Sequence, residues 1–465
     1  MRKREEFSEW YDEAIQNADI CDKRYPIKGM NVWTPYGWKI MTLMDSFIRD
    51  ELNRTNHDEV HFPVLIPEEE FAKEAQHIRG FEEGVYWVTH AGLNPLDVRL
   101  LLRPTSETAM YPMFSLWVRS HADLPLKTYQ IVEVYRYETK QTRTLIRVRE
   151  IHFFESHTCH ATFEEAEEQI REDLEIMDNL AKTFCIPYLK MKRPDWDKFA
   201  GAHYSVGVDS LMPTGRTMQN GGIHQYRDNF SRAYDIKYED EKGEHQYVHQ
   251  TTFGLSERLL GGIVALHGDD RGIVLPPEVA PIQVIIIPIP EKGAQEEILA
   301  GARDIGLQLA GCGIRSKTDD RDIRPGAKFY EWERKGVPLR LEFGRNEMKD
   351  GAVTLVRRHD MKKETASRTE MVDVVQRSLN EIQKDLWERA SEELAQGIRT
   401  IENLGDARTG INRVGWCGEE SCGHEMEDVT GMSVLGTLYD GEEFKGKCIV
   451  CGNPTRTAAY LARTY

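Results

Sequence analysis

The segment VEVYRYETKQTRTLIRVREIHFFE, residues 132–155, concentrates positive charge in a part of the chain that has the composition of β-strands. Its basic residues are Arg136, Lys140, Arg143, Arg147 and Arg149. A buried strand could not hold so many unpaired charges, and a surface strand would not need them. We therefore expect the segment to bind a highly anionic ligand. A set of surface salt bridges is the alternative.

The segment divides into two candidate antiparallel strands, VEVYRYE and TLIRVREIHFFE, joined by the loop TKQTR. Because side chains alternate along a strand, five residues of the second strand are predicted to share one face: Arg147, Arg149, Ile151, Phe153 and Glu155. Arg136 and Glu138 would share a face of the first strand. Guanidinium groups match phosphate oxygens, and a carboxylate can accept a hydrogen bond from an exocyclic amino group. The pattern favours a nucleotide site.

The composition is that of a soluble globular protein. The chain has 465 residues, of which 40% are hydrophobic and 29% charged, and this length suggests about three domains. No apolar run reaches the ~20 residues of a membrane span, and the first residues lack an apolar signal core, so we expect a cytoplasmic protein with no membrane segment. The net charge of −17 argues against indiscriminate nucleic-acid binding, although a local basic patch is compatible with it.

Residues 1–275 alternate helical and strand-like patterns. The start of the chain predicts an amphipathic helix with one apolar side, formed by Phe7, Trp10, Tyr11, Ala14 and Ile15. A long amphipathic helix is predicted at Phe163–Phe184 and a strand at Glu59–Pro67. Three prolines in VLPPEVAPIQ (Val274–Gln283) then mark a break.

Beyond this break, strand and helix patterns alternate over residues 283–385, which predicts an α/β domain with a parallel or mixed sheet. Its first strand is the apolar run VIIIPIP at Val284–Pro290, typical of a buried strand. Residues 386–465 form a third part, which begins as a long helix and contains a cysteine cluster.

The eight cysteines fall into two groups. Four are scattered: Cys21, Cys159, Cys185 and Cys312. The other four, Cys417, Cys422, Cys448 and Cys451, have the spacing C-x4-C, 25 residues, C-x2-C. Clustered pairs in a cytosolic chain favour metal over disulfides, and four thiolates can complete a tetrahedral Zn²⁺ site. We predict a structural Zn²⁺, with four reduced, unliganded cysteines as the alternative.

Three segments together resemble the motifs of class II aminoacyl-tRNA synthetases. VHFPVLIP, with Pro63, resembles motif 1. The arginine-rich segment, with Arg136 and Glu138 in the order R-x-E, resembles motif 2, and FGLSERLLGGIVAL, with Arg258, resembles motif 3. The resemblance implies a class II catalytic domain over residues 1–275, built on an antiparallel sheet, and a homodimer formed through motif 1.

Two further segments are similar to those of prolyl-tRNA synthetases of the archaeal and eukaryotic type. They are LLRPTSETAMYP, with Thr105 and Glu107, and MQNGGIHQ, with Gln219 and His224. The whole chain resembles this family. The resemblance implies that the chain activates L-proline with ATP and Mg²⁺ to prolyl-adenylate and pyrophosphate, and then transfers proline to tRNA(Pro).

The resemblance also implies the roles of individual residues. Proline contacts are expected from Thr105, Glu107, Arg136 and His224, with Glu107 facing the secondary ammonium. ATP contacts are expected from Arg136, Glu138, Arg147, Gln219, Ser256 and Arg258. Arg136 and Arg258 would be the catalytic residues, because they would place positive charge on the reacting phosphates. Two positions depart from the family: Ile151 replaces an adenine-stacking aromatic, for which Phe153 is a candidate substitute, and Gly222 replaces a threonine.

The remaining parts resemble the anticodon-binding domain of class IIa synthetases, over residues 283–385, and a C-terminal zinc-binding domain, over residues 386–465. The second of these would end with Tyr465 near the active site. Lys328, Glu342 and Arg345 are candidate contacts to tRNA bases, and a solvated charged face is the alternative.

Two other functions were weighed. One is a threonyl-, seryl- or glycyl-tRNA synthetase, but LLRPTSETAMYP lacks the cysteine of a threonyl zinc site, and the chain has no room for a seryl coiled-coil arm. The other is a synthetase-like protein that only binds RNA, which would be expected to lose Arg136, Glu138 or Arg258. Fewer than 100 residues separate Glu155 from Phe253, too few for a large editing insertion.

Overall fold

The computed structural model describes Lys3, residues 5–73 and residues 84–465. In residues 5–275, the α-helices are α1 Phe7–Asn17, α2 Pro35–Arg54, α3 Glu68–Ala72, α4 Glu107–Trp117, α5 Phe163–Phe184, α6 Asn229–Tyr234 and α7 Arg258–His267. The strands are β1 Cys21–Asp22, β2 Val32–Trp33, β3 Asp58–Glu59, β4 Leu65–Pro67, β5 Trp87–Ala91, β6 Asn94–Leu102, β7 Leu126–Tyr135, β8 Glu150–His160, β9 Leu189–Lys192, β10 Tyr204–Leu211, β11 Thr217–Arg227, β12 Lys237–Glu239, β13 His245–Tyr247 and β14 His249–Ser256.

The rest of the chain adds five helices and eleven strands to the described residues. The helices are α8 Gln295–Gly311, α9 Pro325–Arg334, α10 Arg345–Asp350, α11 Met371–Gln396 and α12 Glu420–Thr430. The strands are β15 Val284–Pro288, β16 Ser316–Thr318, β17 Leu339–Phe343, β18 Ala352–Arg357, β19 Lys363–Ser367, β20 Ile398–Thr400, β21 Ile411–Trp416, β22 Ser433–Leu438, β23 Gly446–Lys447, β24 Pro454–Thr455 and β25 Thr457–Ala462.

The largest sheet confirms the predicted antiparallel architecture. Its strands run in the order β20-β21-β25-β22-β9-β10-β11-β14-β8-β7-β3. Every pair from β9 to β7 is antiparallel, and the parallel pairs lie at the two edges, β3 with β7 and β20 with β21. Side chains of β8 alternate between two environments: Phe154 packs in the main apolar core, whereas Phe153 and Glu155 face a cavity.

The helices that cover the core side of this sheet follow the predicted patterns. Helix α1 buries the five apolar residues that the sequence places on one side, which confirms that prediction. Helix α5 has the predicted bounds, because Thr162 caps its first turn by accepting from the Glu165 N–H, and Cys185 ends it in a left-handed conformation. None of the helices in the described parts of the chain is long and apolar enough to cross a bilayer.

The arginine-rich segment differs from its prediction. Strand β7 ends at Tyr135 and β8 begins at Glu150, so residues 136–149 form a loop and not two strand ends. The loop turns inward because Leu145 and Ile146 are buried in the main core. The predicted shared face therefore fails for Arg149, whose guanidinium lies 4.2 Å from the Tyr137 ring centroid and does not line the cavity.

The prediction of one continuous strand at Glu59–Pro67 is also wrong. Only its two ends are strands, β3 and β4. Between them, Pro63 has no N–H to donate to a sheet, and the Phe62 N–H donates instead to the side chain of Gln130, at 3.0 Å.

Residues 283–385 contain the predicted mixed sheet, in the order β16-β15-β17-β18-β19. Strand β15 is parallel to both neighbours, whereas β17, β18 and β19 pair antiparallel. The residues of β15 are all buried, as its apolar composition predicts. Helix α11 runs continuously across the predicted boundary at 385, which stays a prediction.

The C-terminal strands extend the large sheet. Strand β22 pairs with β9, at Thr437 with Lys192 and at Leu438 with Met191, so the sheet continues from the first part of the chain into the last. The sequence patterns do not predict this pairing. It brings residues 403–465, the C-terminal module with the four clustered cysteines, against the strands that form the cavity.

Candidate functional site

One cavity of about 380 Å³ brings together the residues that the sequence analysis assigned to proline and ATP. Nine of them line it: Thr105, Glu107, Arg136, Glu138, Arg147, Gln219, His224, Ser256 and Arg258. They come from α4 and the turn before it, the 136–149 loop, β11, and the adjoining β14 and α7, so the fold brings together four separate parts of the chain. Their individual roles stay predictions.

At one end of the cavity, the Glu107 carboxylate is buried and held by two hydroxyl groups. Thr105 Oγ1 donates to Glu107 Oε2 at 2.6 Å, and the Tyr226 hydroxyl donates to Oε1 at 3.0 Å. Glu107 is only 2% exposed and opens helix α4, where the helix dipole favours a negative charge. The carboxylate is therefore fixed in position and suited to a cationic ligand group.

His224 stands close to this carboxylate as a neutral ring. Burial, reinforced by the charges of Arg193 and His157, lowers the pKa of His224 to about 3. Its Nδ1 shares a hydrogen bond with Ser205 Oγ at 2.8 Å, and its ring centroid lies 4.8 Å from that of Phe199. The neutral imidazole therefore adds no positive charge to the cavity that Glu107 also lines.

The other end of the cavity is positive. Arg258 donates through Nε to the Ile146 carbonyl at 2.7 Å and through Nη1 to the Gln219 carbonyl at 3.1 Å. Arg136 donates through Nε to the Pro104 carbonyl at 3.0 Å. Burial, and then the proximity of Arg136 and Arg147, lowers the pKa of Arg258 to about 10. Three guanidinium groups held this close form a site for a polyanion.

The remaining predicted nucleotide residues are held less tightly. Glu138 accepts from the Lys140 N–H at 2.9 Å and lies 3.7 Å from Arg147 Nε. Gln219 is exposed and donates to the Gly221 carbonyl, and Ser256 Oγ accepts from the Arg258 N–H.

The two positions that depart from the family also line the cavity, Ile151 and Gly222. Phe153, the candidate substitute for the stacking aromatic, lies with its ring centroid 5.8 Å from the Arg136 guanidinium. A Cβ added at Gly254 would lie 2.9 Å from the same ring. Phe153 therefore packs between Arg136 and the backbone of β14.

A buried network beneath the cavity was missed by the sequence analysis. Glu155 accepts from the Ser106 N–H at 3.1 Å, from the Ser106 hydroxyl and from Gln130 Nε2 at 3.2 Å. Burial alone would raise the pKa of Glu155, but the His157 imidazole, 3.2 Å away, holds it below its usual value. Strand alternation could have found this pair, because Glu155 and His157 share a face of β8.

His152 lies outside the cavity and connects α2, β7 and the residue before α7. Its Nε2 lies 3.0 Å from Asp45 on α2, its Nδ1 lies 3.1 Å from Glu133 on β7, and its N–H donates to Glu257 at 2.6 Å. Burial opposes the charged ring, but the two carboxylates outweigh it and raise the pKa of His152 to about 10. The ring is therefore charged at neutral pH.

This charge predicts a pH dependence of stability. Because the pKa of His152 is raised in the folded state, its stabilisation is complete below pH ~6.5 and is lost as the pH rises towards 10. The melting temperature of the wild-type protein should fall faster between pH 6.5 and 10 than that of His152→Gln. The difference in unfolding free energy between the two proteins should change by at most about 1.4 kcal/mol per pH unit. Thermal melts of both proteins test this, and parallel curves would contradict it.

The four clustered cysteines meet in the C-terminal module. Their Sγ atoms all lie within 4.8 Å of one another, and those of Cys417 and Cys451 are 3.8 Å apart. A tetrahedral site with Zn–S bonds of ~2.3 Å places its sulfur atoms about 3.8 Å apart. The geometry and the all-thiol donor set therefore fit Zn²⁺.

The three residues predicted to contact tRNA bases lie away from the cavity and differ in their exposure and partners. Lys328 is only 3% exposed, and its ammonium donates to the Asp319 carbonyl at 2.8 Å. We therefore do not propose that Lys328 reads a tRNA base. Glu342 accepts from Arg340 Nε at 3.0 Å and is mostly buried. Arg345 is half-exposed and pairs with Glu291 at 2.7 Å.

The chain matches three known protein-family models. Residues 86–267 match the model of the tRNA synthetase class II core domain (G, H, P, S and T), residues 283–378 match the anticodon binding domain, and residues 403–465 match the prolyl-tRNA synthetase C-terminal domain.

Curated relatives match over the full length. The proline–tRNA ligase of Thermococcus kodakarensis is 57% identical, covering 99% of this chain and 98% of its own. That of Methanopyrus kandleri is 50% identical, covering 99% and 96%. The structure of Giardia lamblia prolyl-tRNA synthetase in complex with prolyl-adenylate superposes with a TM-score of 0.97 at 35% identity, covering 100% of this chain and 99% of the other. The chain therefore belongs to the prolyl-tRNA synthetase family.

Proposed function

We propose that the chain is a proline–tRNA ligase that joins L-proline to ATP, forming prolyl-adenylate and pyrophosphate, and then transfers proline to tRNA(Pro). The observation that carries the proposal is the charge distribution of the cavity, which is lined both by the fixed Glu107 carboxylate and by the guanidinium groups of Arg136, Arg147 and Arg258. An amino acid bound between them presents its ammonium to Glu107 and its carboxylate to the arginines.

Proline would be recognised at the negative end. The secondary ammonium meets the Glu107 carboxylate, which Thr105 and Tyr226 hold in place. The neutral His224 ring and Phe199 form an aromatic wall 4.8 Å between centroids, which suits the apolar pyrrolidine ring. A protonated histidine here would repel the ammonium, so burial of His224 serves recognition.

ATP would be bound at the positive end. Arg136 lies between the two ends and is placed to contact both the prolyl carboxylate and the α-phosphate, while Arg147 and Arg258 hold the other phosphates. Glu138 would accept from the adenine amino group. The prolyl carboxylate attacks the α-phosphorus and pyrophosphate leaves, so the side chains contribute position and positive charge and no nucleophile.

Magnesium enters this proposal as part of the substrate. Among the described residues, the side-chain groups that could hold a metal ion are the four cysteines and a group of His359, Asp360 and Asp385, and neither lines the cavity. We therefore propose MgATP as the nucleotide substrate.

The test of the activity is ATP–pyrophosphate exchange measured with each of the twenty amino acids in turn. We expect a dominant signal with proline. Absence of exchange with every amino acid, in folded protein, would overturn the proposal and favour a protein that only binds RNA.

Glu107→Gln tests the proline end separately. We expect KM for proline to rise at least about 30-fold, because removing one partner of a buried charge pair costs ~2–5 kcal/mol. KM for ATP should change little. The matched control is Glu164→Gln, an exposed position on α5 that should leave both constants unchanged. Equal changes in the two constants of Glu107→Gln would contradict this assignment.

Further features of the proposal concern the rest of the chain. We propose domains at residues 1–275, 283–385 and 386–465, and a structural Zn²⁺ held by the four cysteines. Arg345 and Glu342 are proposed to contact the tRNA. We also propose cytoplasmic charging by a homodimer formed through motif 1, since the apolar Leu65 of that motif is 39% exposed. Sedimentation analysis of the purified protein tests the dimer.

A further inference from the structure

The segment 193–203 connects β9 to β10 and lies between the cavity and the C-terminal module. On its inner side, Arg193, Asp197 and Phe199 line the cavity. The Phe199 N–H donates to Ser205 Oγ at 2.9 Å, and the same hydroxyl bonds His224 Nδ1 at 2.8 Å. The segment is thus attached to the proline end of the site.

Its outer side is held by Trp196. The indole ring centroid lies 5.9 Å from that of Trp416, edge to face, and 4.8 Å from that of His424. It also packs on Gly423 of α12, where an added Cβ would overlap the ring. Trp416 and Gly423 directly adjoin Cys417 and Cys422. The socket for Trp196 is therefore built from neighbours of two candidate zinc ligands.

Trp196 and Phe199 are joined by a tight turn. The N–H groups of Asp197 and Lys198 both donate to the Pro194 carbonyl at 3.0 Å. Because the turn is hydrogen-bonded and only two residues separate Trp196 from Phe199, a displacement of Trp196 displaces Phe199, and with it the wall formed with His224.

Arg193 provides a second connection at the start of the segment. Its Nη1 donates to the Leu435 carbonyl of β22 at 2.9 Å, and its Nη2 lies 2.7 Å from Asp209 of β10. Both side chains are buried. A Cβ at Gly207 would overlap the guanidinium, so glycine is required beneath it. The segment is fixed to the C-terminal module at two points.

We infer that Trp196 is a positioning residue for proline binding, through which the folded C-terminal module holds Phe199 and His224 in place. The inference rests on the proposed function and deepens it, because it makes the C-terminal module part of substrate recognition. It predicts a selective effect: loss of the Trp196 contact weakens proline binding and leaves the ATP end unchanged.

Four variants test it: Trp196→Ala, Trp196→Phe, Gly423→Ala and, as control, Val429→Ala. Proline and ATP KM are measured by pyrophosphate exchange, proline Kd by calorimetry, and zinc content on each sample. Trp196→Ala should raise proline KM and Kd about 10- to 100-fold with ATP KM unchanged, and Trp196→Phe should recover part of the loss. Gly423→Ala should reproduce the effect although alanine favours the helix. Val429, 54% exposed on the same helix, should tolerate alanine.

The outcomes are separable. A folded, zinc-loaded Trp196→Ala or Gly423→Ala protein with wild-type proline KM and Kd overturns the inference, and so does an equal rise in the KM of both substrates. If Trp196→Ala does not fold, Gly423→Ala and Trp196→Phe decide by the same criteria. Wild-type protein without proline-dependent exchange would overturn the proposed function itself, before any variant is compared.

Discussion

Replacing Arg136 by alanine is expected to reduce proline-dependent ATP–pyrophosphate exchange by about 10³-fold or more. A single preorganised donor to a developing negative charge contributes about 10²–10³ in kcat, and we propose that Arg136, which lines the cavity, contacts both reactants. Its Nε also holds the Pro104 carbonyl, next to Thr105, so KM for proline should rise as kcat falls. Steady-state exchange kinetics measure both constants.

Arg149→Ala is the matched control. It removes the same side chain from the same arginine-rich segment, but Arg149 lies over Tyr137 and does not line the cavity. Its exchange rate should stay within about tenfold of the wild-type rate, since its loss removes a hydrogen bond to the Glu138 carbonyl and the contact with the Tyr137 ring but no group that lines the cavity. Equal losses in the two variants would show that charge in the segment matters and the position of Arg136 does not.

The residues of the cavity could be predicted because short motifs carry them. R-x-E, T-x-E and the motif 3 arginine each fix a residue type at a position, and the fold then brings them together. Helix α5 could be predicted for a different reason: its apolar period and its capping threonine are local signals that tertiary contacts do not override.

Other features depend on contacts that no local pattern encodes. The loop at 136–149 departs from a strand because Leu145 and Ile146 insert into the core. Lys328 is charged and occurs in a polar stretch, yet Asp319 draws its ammonium inside. The pairing of β22 with β9 joins residues more than 200 positions apart, and the partners of Trp196, Trp416 and Gly423, are equally distant in sequence. Sequence periodicity cannot specify any of these partners.

Replacing Cys448 by serine is expected to abolish the zinc binding that we propose for the four cysteines and to unfold the C-terminal module. Cys448 and Cys422 are buried in a small apolar cluster that includes Trp416 and Met426. Without the metal the module keeps only its apolar and backbone contacts, whereas Zn²⁺ binding to small Cys-rich modules contributes ~10–16 kcal/mol. Zinc per chain, measured by plasma mass spectrometry, should fall from one to near zero, and residues 403–465 should become sensitive to protease.

The damage should spread to the active site, because the module is continuous with the large sheet. Unfolding β22 exposes the edge of β9 and removes the socket of Trp196, so proline activation should fall and aggregation should increase. Cys312→Ser is the matched control, since Cys312 is exposed and lies outside the cluster. A Cys448→Ser protein that keeps its melting temperature and its resistance to protease would mean that the module is stable without a metal held by the four cysteines.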